Sequence, residues 1–398
     1  MKKFLAVVLA AAMAVSVAAC GNSGSSTAST TAAASSNTST STSAQAFKFG
    51  SSGPLTGAAA IYGKAVMNAI NIAVEEVNAA GGINGYQVEF KAEDDVADGE
   101  TAVNAYNSLI DWGMQVMIGT VTTGACISMS AVAQKDRTFC LTPSASSVDV
   151  TAGKDCMYQL CFTDPNQGTG SADYIAEHYA DKTIAVIYRN DDAYSQGIRD
   201  TFVKQASAKG LNVAYEGTFT EATSTDFSVQ LTAAQAANCD LVFLPIYYQP
   251  ASVILNQANQ MGYAPTFFGV DGMDGILAME GFDTSLAEGV MLLTPFAADA
   301  KDERVQAFVA KYKEKYGETP NQFAADGYDC VYAIKTAIEK AGCTPADSRE
   351  AICEALVKTM QEISYDGITG AGMTWSASGE VTKAPAAVVI KDGAYVTP

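Results

Sequence analysis

The chain has 398 residues, of which 24 are Lys or Arg and 43 are Asp or Glu, so its formal net charge at pH 7 is −19. Such an acidic balance argues against binding nucleic acid or anionic lipid headgroups through broad electrostatic attraction. The length exceeds that of a usual single hydrophobic core, and it predicts two lobes.

The N-terminus predicts where the protein is located. Two lysines precede an apolar run at residues 4–17, a pattern typical of a secretory signal peptide over residues 1–19. The run leads into V-A-A-C-G, which resembles a bacterial lipobox in which Cys20 receives a diacylglycerol group. Ordinary secretion is the alternative. A membrane-spanning anchor is disfavoured, because the run is shorter than the roughly 20 residues that cross a bilayer.

The next segment is predicted to be a flexible tether. Residues 21–45 contain only Gly, Ser, Thr, Ala, Asn and Gln. Such a composition cannot bury enough apolar surface to offset the entropy of ordering the chain. We therefore expect a lipidated cysteine and tether over residues 20–45, holding a globular body at the extracytoplasmic face of the cell membrane.

From residue 46 onward, short β-rich runs alternate with amphipathic stretches, the pattern of parallel sheets built from βαβ crossovers. A first series contains predicted strands at 47–50, 88–91, 115–119 and 138–142, with helices around 70–77 and at 101–111. A second series contains predicted helices at 167–179, 194–209, 226–237 and 251–261, and strands at 183–188, 211–216, 240–244, 266–269 and 290–293. Helices at 303–316, 322–341 and 349–360 and a last strand at 388–391 complete the chain. The pattern predicts two open α/β units, with some of the last helices returning to the first unit.

The number and spacing of the cysteines favour free thiols over a metal site. Eight cysteines come after Cys20: Cys126, Cys140, Cys156, Cys161, Cys239, Cys330, Cys343 and Cys353. An even number in an exported chain permits disulfides, but sequence cannot give their pairing. We expect mostly free thiols, with one or two bridges possible. No C-x-x-C motif occurs and His178 is the single histidine, so we predict no metal site.

The sequence contains no complete motif of the common catalytic or nucleotide-binding sites. The segment that starts at Gly57 resembles a phosphate loop, but five residues instead of four separate Gly57 from Gly63. In addition, Ala65 replaces the Ser or Thr that would hold magnesium. No G-x-G-x-x-G follows a strand, and no G-x-S-x-G elbow occurs. A Ser/His/Asp catalytic triad would depend on His178 with no supporting motif, and a solvated or edge-packed position accounts better for this histidine. We predict no enzymatic activity and no cofactor.

The loops after the predicted strands carry a more distinctive pattern. It includes S-G-P-L-T-G at 52–57, V-N-A-A-G-G-I-N-G at 77–85, T-P-S-A-S at 142–146 and D-P-N-Q-G at 164–168. This ordered set resembles the leucine/isoleucine/valine-binding proteins of bacterial ABC importers, over essentially all of residues 47–398.

The resemblance implies the periplasmic binding protein type I fold. This is an α/β fold of two Rossmann-like lobes with parallel central sheets, joined by a hinge of three crossovers, with the ligand in the cleft. It implies an N-terminal lobe of residues 46–163 plus 296–385. The C-terminal lobe is then formed by residues 164–295 plus 386–398.

The resemblance also implies roles for polar residues at the cleft. Thr123 and Ser146 match residues whose hydroxyls, together with backbone N–H groups at Ser144 and Ala145, hold the ligand α-carboxylate. Both loops are expected to lead into helix N-termini, which favour anions. Asp271 matches the acid that pairs with the ligand ammonium. For Thr123 and Ser146, helix capping is the alternative interpretation.

Four aromatic residues complete the implied site. Tyr194 and Tyr247 match residues that bond or cover the backbone atoms of the amino acid. Tyr62 and Phe323 match walls of the side-chain pocket. Core packing is the alternative role for each of the four.

The function implied by the resemblance is that of an extracytoplasmic solute-binding lipoprotein. It would capture a free amino acid, branched-chain or otherwise hydrophobic, and deliver it to an ABC importer. The implied partners are the permease and ATPase subunits, the protein itself acting as a monomer. Two alternatives remain: a sensory or chemotactic receptor with the same cleft, and a binder of a related small amide or organic acid.

Overall fold

A computed structural model of the chain describes residues 45–384 and 386–398. The predicted signal peptide, the predicted lipidation site Cys20 and the predicted tether up to residue 44 lie outside the described residues.

The first sheet is parallel throughout and is formed by the first five strands. Its strands are β1 (Phe47–Gly53), β2 (Val88–Asp94), β3 (Val116–Gly119), β4 (Phe139–Thr142) and β5 (Met157–Gln159). They pair in the order β2-β1-β3-β4-β5, with Phe49 opposite both Phe90 and Val116. β3, β4 and β5 are buried along their whole length, as parallel strands covered on both faces are.

The second sheet has seven strands among the described residues. They are β6 (Thr183–Arg189), β7 (Asn212–Phe219), β8 (Leu241–Leu244), β9 (Thr266–Gly269), β10 (Met291–Thr294), β11 (Ala386–Lys391) and β12 (Ala394–Val396). Their order is β12-β11-β10-β9-β8-β6-β7, in which β11 and β12 are antiparallel. The sequence pattern does not predict β12. It forms a hairpin with β11 through Asp392 and Gly393, which have φ values of 52° and 72° as a tight hairpin turn requires.

Ten α-helices cover the two sheets in the described part of the chain. They are α1 (Ala60–Ala79), α2 (Gly99–Trp112), α3 (Thr123–Lys135), α4 (Asp164–His178), α5 (Ala193–Lys209), α6 (Ser228–Ala236), α7 (Tyr248–Gln260), α8 (Glu303–Tyr316), α9 (Gln322–Ala341) and α10 (Arg349–Met360). Local signals set several ends. Asp302 caps the start of α8 by accepting from the Arg304 and Val305 N–H groups, and Gly317 ends that helix in a left-handed conformation.

The chain passes between the two sheets three times, which confirms the predicted fold class. It leaves the first sheet after β5, and it returns after β10 to helices that pack beside α1, β3 and β4. It crosses again before β11, which adds to the second sheet. We call β1–β5 with α1–α3 and α8–α10 the first lobe, and β6–β12 with α4–α7 the second lobe. The last helices therefore return to the first lobe, as predicted.

A buried ion pair fastens the segment before the last crossing. The Lys383 ammonium lies 2.7 Å from Asp326 Oδ1 and donates to Thr369 Oγ1 at 2.8 Å. Both charged side chains are almost fully buried, at 1% and 3% exposure. Asp329, one helical turn further along α9, accepts from the Thr369 N–H at 2.9 Å. Because Lys383 has two partners and Thr369 is bonded to Asp329 as well, the segment is held tightly against α9.

Close backbone approach fixes the start of α1. A Cβ atom on Gly63 would lie 2.0 Å from the carbonyl oxygen of Pro54. Only glycine allows the loop after β1 to come this close to the first turns of α1. The contact sets the position of Tyr62, the residue before this glycine.

Candidate ligand-binding site

Six of the nine predicted ligand-binding residues line one small cavity between the lobes. They are Tyr62, Ser144, Tyr194, Tyr247, Asp271 and Phe323, joined by Val121, Thr122 and Gly272. Three of them come just after strands: Ser144 after β4, Tyr247 after β8 and Asp271 after β9. The carboxyl ends of the strands of an open α/β sheet are where such folds bind ligands.

Asp271 is the acidic centre of the cavity. Its Oδ1 accepts a hydrogen bond from Tyr194 Oη at 2.5 Å, and Tyr194 Oη accepts from the Gly272 N–H at 2.9 Å. Burial raises the pKa of Asp271 to about 7, against the lowering effect of the Tyr194 bond. Among the residues that the structure describes, no Lys or Arg forms a salt bridge with this carboxylate. A cationic group on a ligand would stabilise its charged form.

Aromatic rings enclose the cavity and join the lobes. The Tyr62 ring lies 4.4 Å from that of Phe323 and 5.6 Å from that of Tyr247, between ring centroids. Tyr62 Oη donates to the Gly272 carbonyl and accepts from the Tyr248 N–H at 3.2 Å. Since Tyr62 belongs to the first lobe and these two hydrogen-bond partners to the second, its hydroxyl ties the lobes together over the cavity.

A second bond across the lobes accompanies it. Tyr248 Oη, in the second lobe, donates to the Ala58 carbonyl of the first lobe at 2.6 Å. The cavity behind these bonds is only about 10 Å³, space for about one water molecule. The lobes are thus closed on the site, and an amino acid can enter only when they separate.

Thr123, Ala145 and Ser146 lie behind the cavity wall. The Ser146 N–H donates to Thr123 Oγ1 at 3.2 Å, and the Ala145 N–H donates to Thr142 Oγ1 at 3.0 Å. Ser144 faces the cavity, but its hydroxyl donates to the Val121 carbonyl at 2.6 Å. The Ala145 and Ser146 N–H groups are therefore bonded within the first lobe in this closed structure, whereas the Ser146 hydroxyl has no hydrogen-bond partner among the described residues.

The two loops lead into different kinds of structure. Thr123 is the first residue of α3, as expected for an anion site at a helix N-terminus. The expectation that the Ser146 loop also leads into a helix is wrong. It enters a three-residue 3₁₀ turn at Val148–Val150, which Ser147 caps through a bond from the Asp149 N–H.

Asp164 lies beside the predicted site, although the sequence marked only its D-P-N-Q-G segment and gave this acid no role. Its N–H donates to the Ser146 carbonyl at 3.0 Å, and a Cβ on Gly197 would lie 3.0 Å from Asp164 Oδ2. Burial raises the pKa of this carboxyl well above its usual range. Neither of its side-chain oxygens, nor Ser146 Oγ, has a hydrogen-bond partner among the described residues. Asp164 thus places a second buried acid where the lobes meet.

A larger cavity, of about 700 Å³, lies elsewhere between the lobes and contains none of the predicted residues. Ile61, Asp274, Asn321 and Tyr395 are among the residues that line it. Several of the charged residues that line this larger cavity are exposed to solvent. A large volume alone does not identify a cavity as the amino-acid site. The small cavity is the better candidate because its acid and its aromatic walls converge on one point.

The described residues provide neither a membrane span nor a metal centre. None of their helices is long and apolar enough to cross a membrane. The same part of the chain contains no group of three His, Cys, Asp or Glu side chains arranged to hold a metal ion. His178 is about half exposed on α4 and lies against the Tyr174 ring.

The fold and the cleft define a class of two-lobed solute-binding proteins, and comparison with known proteins agrees. A family model described as "Periplasmic binding protein" matches residues 46–394. The leucine-, isoleucine-, valine-, threonine-, and alanine-binding protein of Pseudomonas aeruginosa is 30% identical over 313 residues, which cover 78% of this chain and 81% of that protein. The chain therefore belongs to the periplasmic binding protein family, and within it to the leucine/isoleucine/valine-binding proteins.

Solved structures extend the comparison. The chain is similar to the branched-chain amino acid transporter substrate-binding protein LivJ of Streptococcus pneumoniae, solved with isoleucine, with a TM-score of 0.78 and 26% identity over 89% of this chain and all of that one. A solute-binding protein from R. palustris, solved with benzoate, has the same fold at 21% identity and a TM-score of 0.78, covering 88% of this chain and 95% of that one. This protein is thus a periplasmic binding protein of the branched-chain amino acid ABC transporter type.

Proposed function

We propose that this protein captures a free amino acid in the cavity between its lobes and delivers it to an ABC importer made of permease and ATPase subunits. The observation that carries the proposal is Asp271, a buried carboxylate with a tyrosine donor and no basic partner among the described residues. The ammonium group of an amino acid supplies the missing positive charge.

The walls of the cavity favour an apolar side chain. Tyr62 and Phe323 pack against each other in its wall, and burying a Leu, Ile or Val side chain against such rings is favourable. The relative from P. aeruginosa is named for leucine, isoleucine, valine, threonine and alanine, and the S. pneumoniae protein was solved with isoleucine. We therefore rank branched-chain amino acids first.

We propose that the ligand carboxylate binds behind the cavity wall, at the 142–146 loop and the start of α3. The N–H groups of Ser144, Ala145 and Ser146 and the start of α3 at Thr123 lie together there. When the lobes separate, a carboxylate can replace the internal acceptors Thr142 Oγ1 and Thr123 Oγ1. Such a carboxylate would gain charge-assisted bonds from the loop and from the α3 N-terminus.

Closure of the lobes is the proposed signal to the transporter. We place the hinge at the three crossovers, between a lobe of residues 46–163 plus 296–385 and a lobe of residues 164–295 plus 386–398. A ligand that bonds to both lobes stabilises a closed state in which the lobes enclose it, with more space between them than the cavity of about 10 Å³ in this structure, by its differential affinity for that state. The permease would then recognise the closed pair of lobes.

A second candidate ligand is a small organic acid. The benzoate-bound protein from R. palustris has the same fold. Asp271, with its pKa near 7, can also face such a ligand in its neutral form. A thermal-shift screen against the twenty amino acids, small amides and benzoate separates the two, since a ligand at 100 times its dissociation constant stabilises by about 2.7 kcal/mol. A shift with benzoate and with no amino acid would refute the proposal.

Delivery to a transporter needs a test in cells. A strain that lacks this protein should lose uptake of the bound amino acid. Intact uptake with altered signalling would instead support a sensory receptor with the same site.

The membrane anchor is a separate part of the proposal. We propose that Cys20 is lipidated and that the tether holds the body at the extracytoplasmic face of the membrane. Cys20→Ser should move the protein from the membrane fraction to the soluble fraction. If the variant stays in the membrane fraction, the lipobox interpretation is wrong.

A further inference from the structure

Two buried cysteines lie side by side in the first lobe, away from the ligand cavity. Cys156 immediately precedes β5, and Cys353 is in α10. Both side chains are fully buried, and all eight cysteines among the described residues carry free thiols. The proposed function uses neither of them.

Neighbouring side chains hold the two segments together on either side of this pair. The Arg137 guanidinium contacts Asp155 Oδ1 at 2.5 Å and Glu354 Oε1 at 2.7 Å, and these acids directly adjoin Cys156 and Cys353. Further along, Tyr158 Oη donates to the Val357 carbonyl at 2.9 Å. The start of β5 and the middle of α10 are therefore fixed in one register.

Within this register the side chains of Cys156 and Cys353 are neighbours, since Arg137 holds the residues next to both of them. Interaction with the Cys353 thiol lowers the pKa of Cys156. Cys156 in turn donates to Gln134 Oε1 at 3.0 Å. Arg137 favours the Cys156 thiolate further through its positive charge. A thiolate stabilised in this way beside a second thiol has the arrangement that disulfide exchange needs.

We propose that Cys156 and Cys353 form an intramolecular disulfide when the chain folds in an oxidising compartment. The proposal rests on the export part of the proposed function, since export brings the chain into contact with oxidants. The oxidant is a small-molecule or protein disulfide, and oxidised glutathione serves as its probe.

The exchange proceeds in two balanced steps. The Cys156 thiolate attacks one sulfur of the oxidant, forms a mixed disulfide and releases the first thiol. The Cys353 thiolate then attacks the Cys156 sulfur and releases the second thiol. Both protons from the cysteines end on the released thiols, so the protein loses two hydrogens. Because both sulfurs are buried in the folded lobe, the oxidant reaches Cys156 before α10 packs on the sheet, and the second step follows as α10 packs and brings Cys353 beside Cys156.

The bridge would close an unusually long loop. Residues 156–353 include α4–α9 and the parallel part of the second sheet. In the chain-entropy account, cross-links that close longer loops stabilise the folded state more. We expect the bridged protein to unfold at a temperature several degrees above that of the reduced protein.

The experiment maps the cysteines after oxidative refolding. The purified protein is unfolded, reduced and refolded with reduced and oxidised glutathione, and its remaining thiols are blocked with N-ethylmaleimide. Digestion and mass spectrometry should then identify a peptide pair that joins Cys156 to Cys353 and separates on reduction. Eight blocked thiols on the body, or a bridge from Cys156 to Cys140 instead, would overturn the proposal.

Variants add a second measurement. Cys353→Ser should remove both the linked peptide and the shift in unfolding temperature, while Cys239→Ser, at a buried thiol of the second lobe, should keep both. If Cys353→Ser does not fold, the map of the unmodified protein still decides the question. Amino-acid binding is measured separately, so a bridged protein that binds no amino acid would refute the proposed function and leave this inference standing.

Discussion

Lowering the pH is expected to weaken amino-acid binding through Asp271. The ligand ammonium pairs with the charged carboxylate, but burial raises the pKa of Asp271 to about 7 in the ligand-free protein. Below that pH the Asp271 carboxyl is protonated, and this proton must leave before the ligand ammonium can pair with the carboxylate. Binding of an ammonium ligand is therefore strongest above pH 7 and declines as the pH falls.

The size of the effect is set by this pKa. At pH 5 about 1% of the Asp271 side chains are ionised, so the apparent dissociation constant should rise about 100-fold relative to pH 8, or about 2.7 kcal/mol. The stability of the ligand-free protein should change in the opposite direction. The folded state holds a proton that the unfolded state, with the ordinary pKa of 3.8, has lost. Stability from this group is therefore fully present below the unfolded pKa and is lost as the pH rises through the folded pKa of about 7.

Calorimetric titration with leucine at pH 5, 6, 7 and 8 measures the effect on binding. Asp271→Asn removes the titrating group, and it should bind at least about 30-fold more weakly at pH 8 because the ammonium loses its partner. Its affinity should also lose most of the pH dependence. Asp274→Asn is the matched control, since this buried acid has a raised pKa of about 6 but lines the larger cavity. Equal affinity of the unmodified protein at pH 5 and pH 8 would refute the reasoning.

Three further substitutions test the fold and its closure. Tyr62→Phe removes two hydrogen bonds across the lobes and should weaken ligand binding about tenfold by calorimetry, with unchanged affinity counting against its closing role. Lys383→Met leaves the buried Asp326 charge unpaired and should lower the free energy of unfolding in urea by about 3–5 kcal/mol, whereas a loss under about 1 kcal/mol would contradict a buried pair. Gly63→Ala places a Cβ against the Pro54 carbonyl and should lower the unfolding temperature by several degrees, while Gly124→Ala, with open space at its Cβ, should not.

The sheets were largely predictable from the sequence. Strands buried on both faces form short apolar runs between amphipathic stretches, and this contrast is visible without any knowledge of tertiary contacts. β5 was missed because three residues are too few to show a period. β12 was missed although Asp392 and Gly393 are a standard hairpin signal, because the strand after them is equally short.

The site was less accessible to sequence reasoning alone. Buried aromatics such as Tyr62 and Phe323 have the spacing of core residues, so only the resemblance to a family assigned them to a cleft. The hydrogen bonds of the 142–146 loop depend on its backbone path, which no residue pattern specifies. The residues packed around Asp164, such as Ser146 and Gly197, come from elements distant in sequence, so its burial could not be foreseen from its neighbours along the chain.

The order in which the chain is synthesised determines when the first lobe can fold. The five strands of the first sheet are complete by residue 159, but the helices α9 and α10 that cover one side of it lie between residues 322 and 360. During translation, that apolar face has no cover until nearly the whole polypeptide has been made. The first lobe therefore cannot finish folding early, and a fragment ending near residue 163 should aggregate rather than form an independent domain. A chain that stays unfolded until late is also one that a secretion channel can thread.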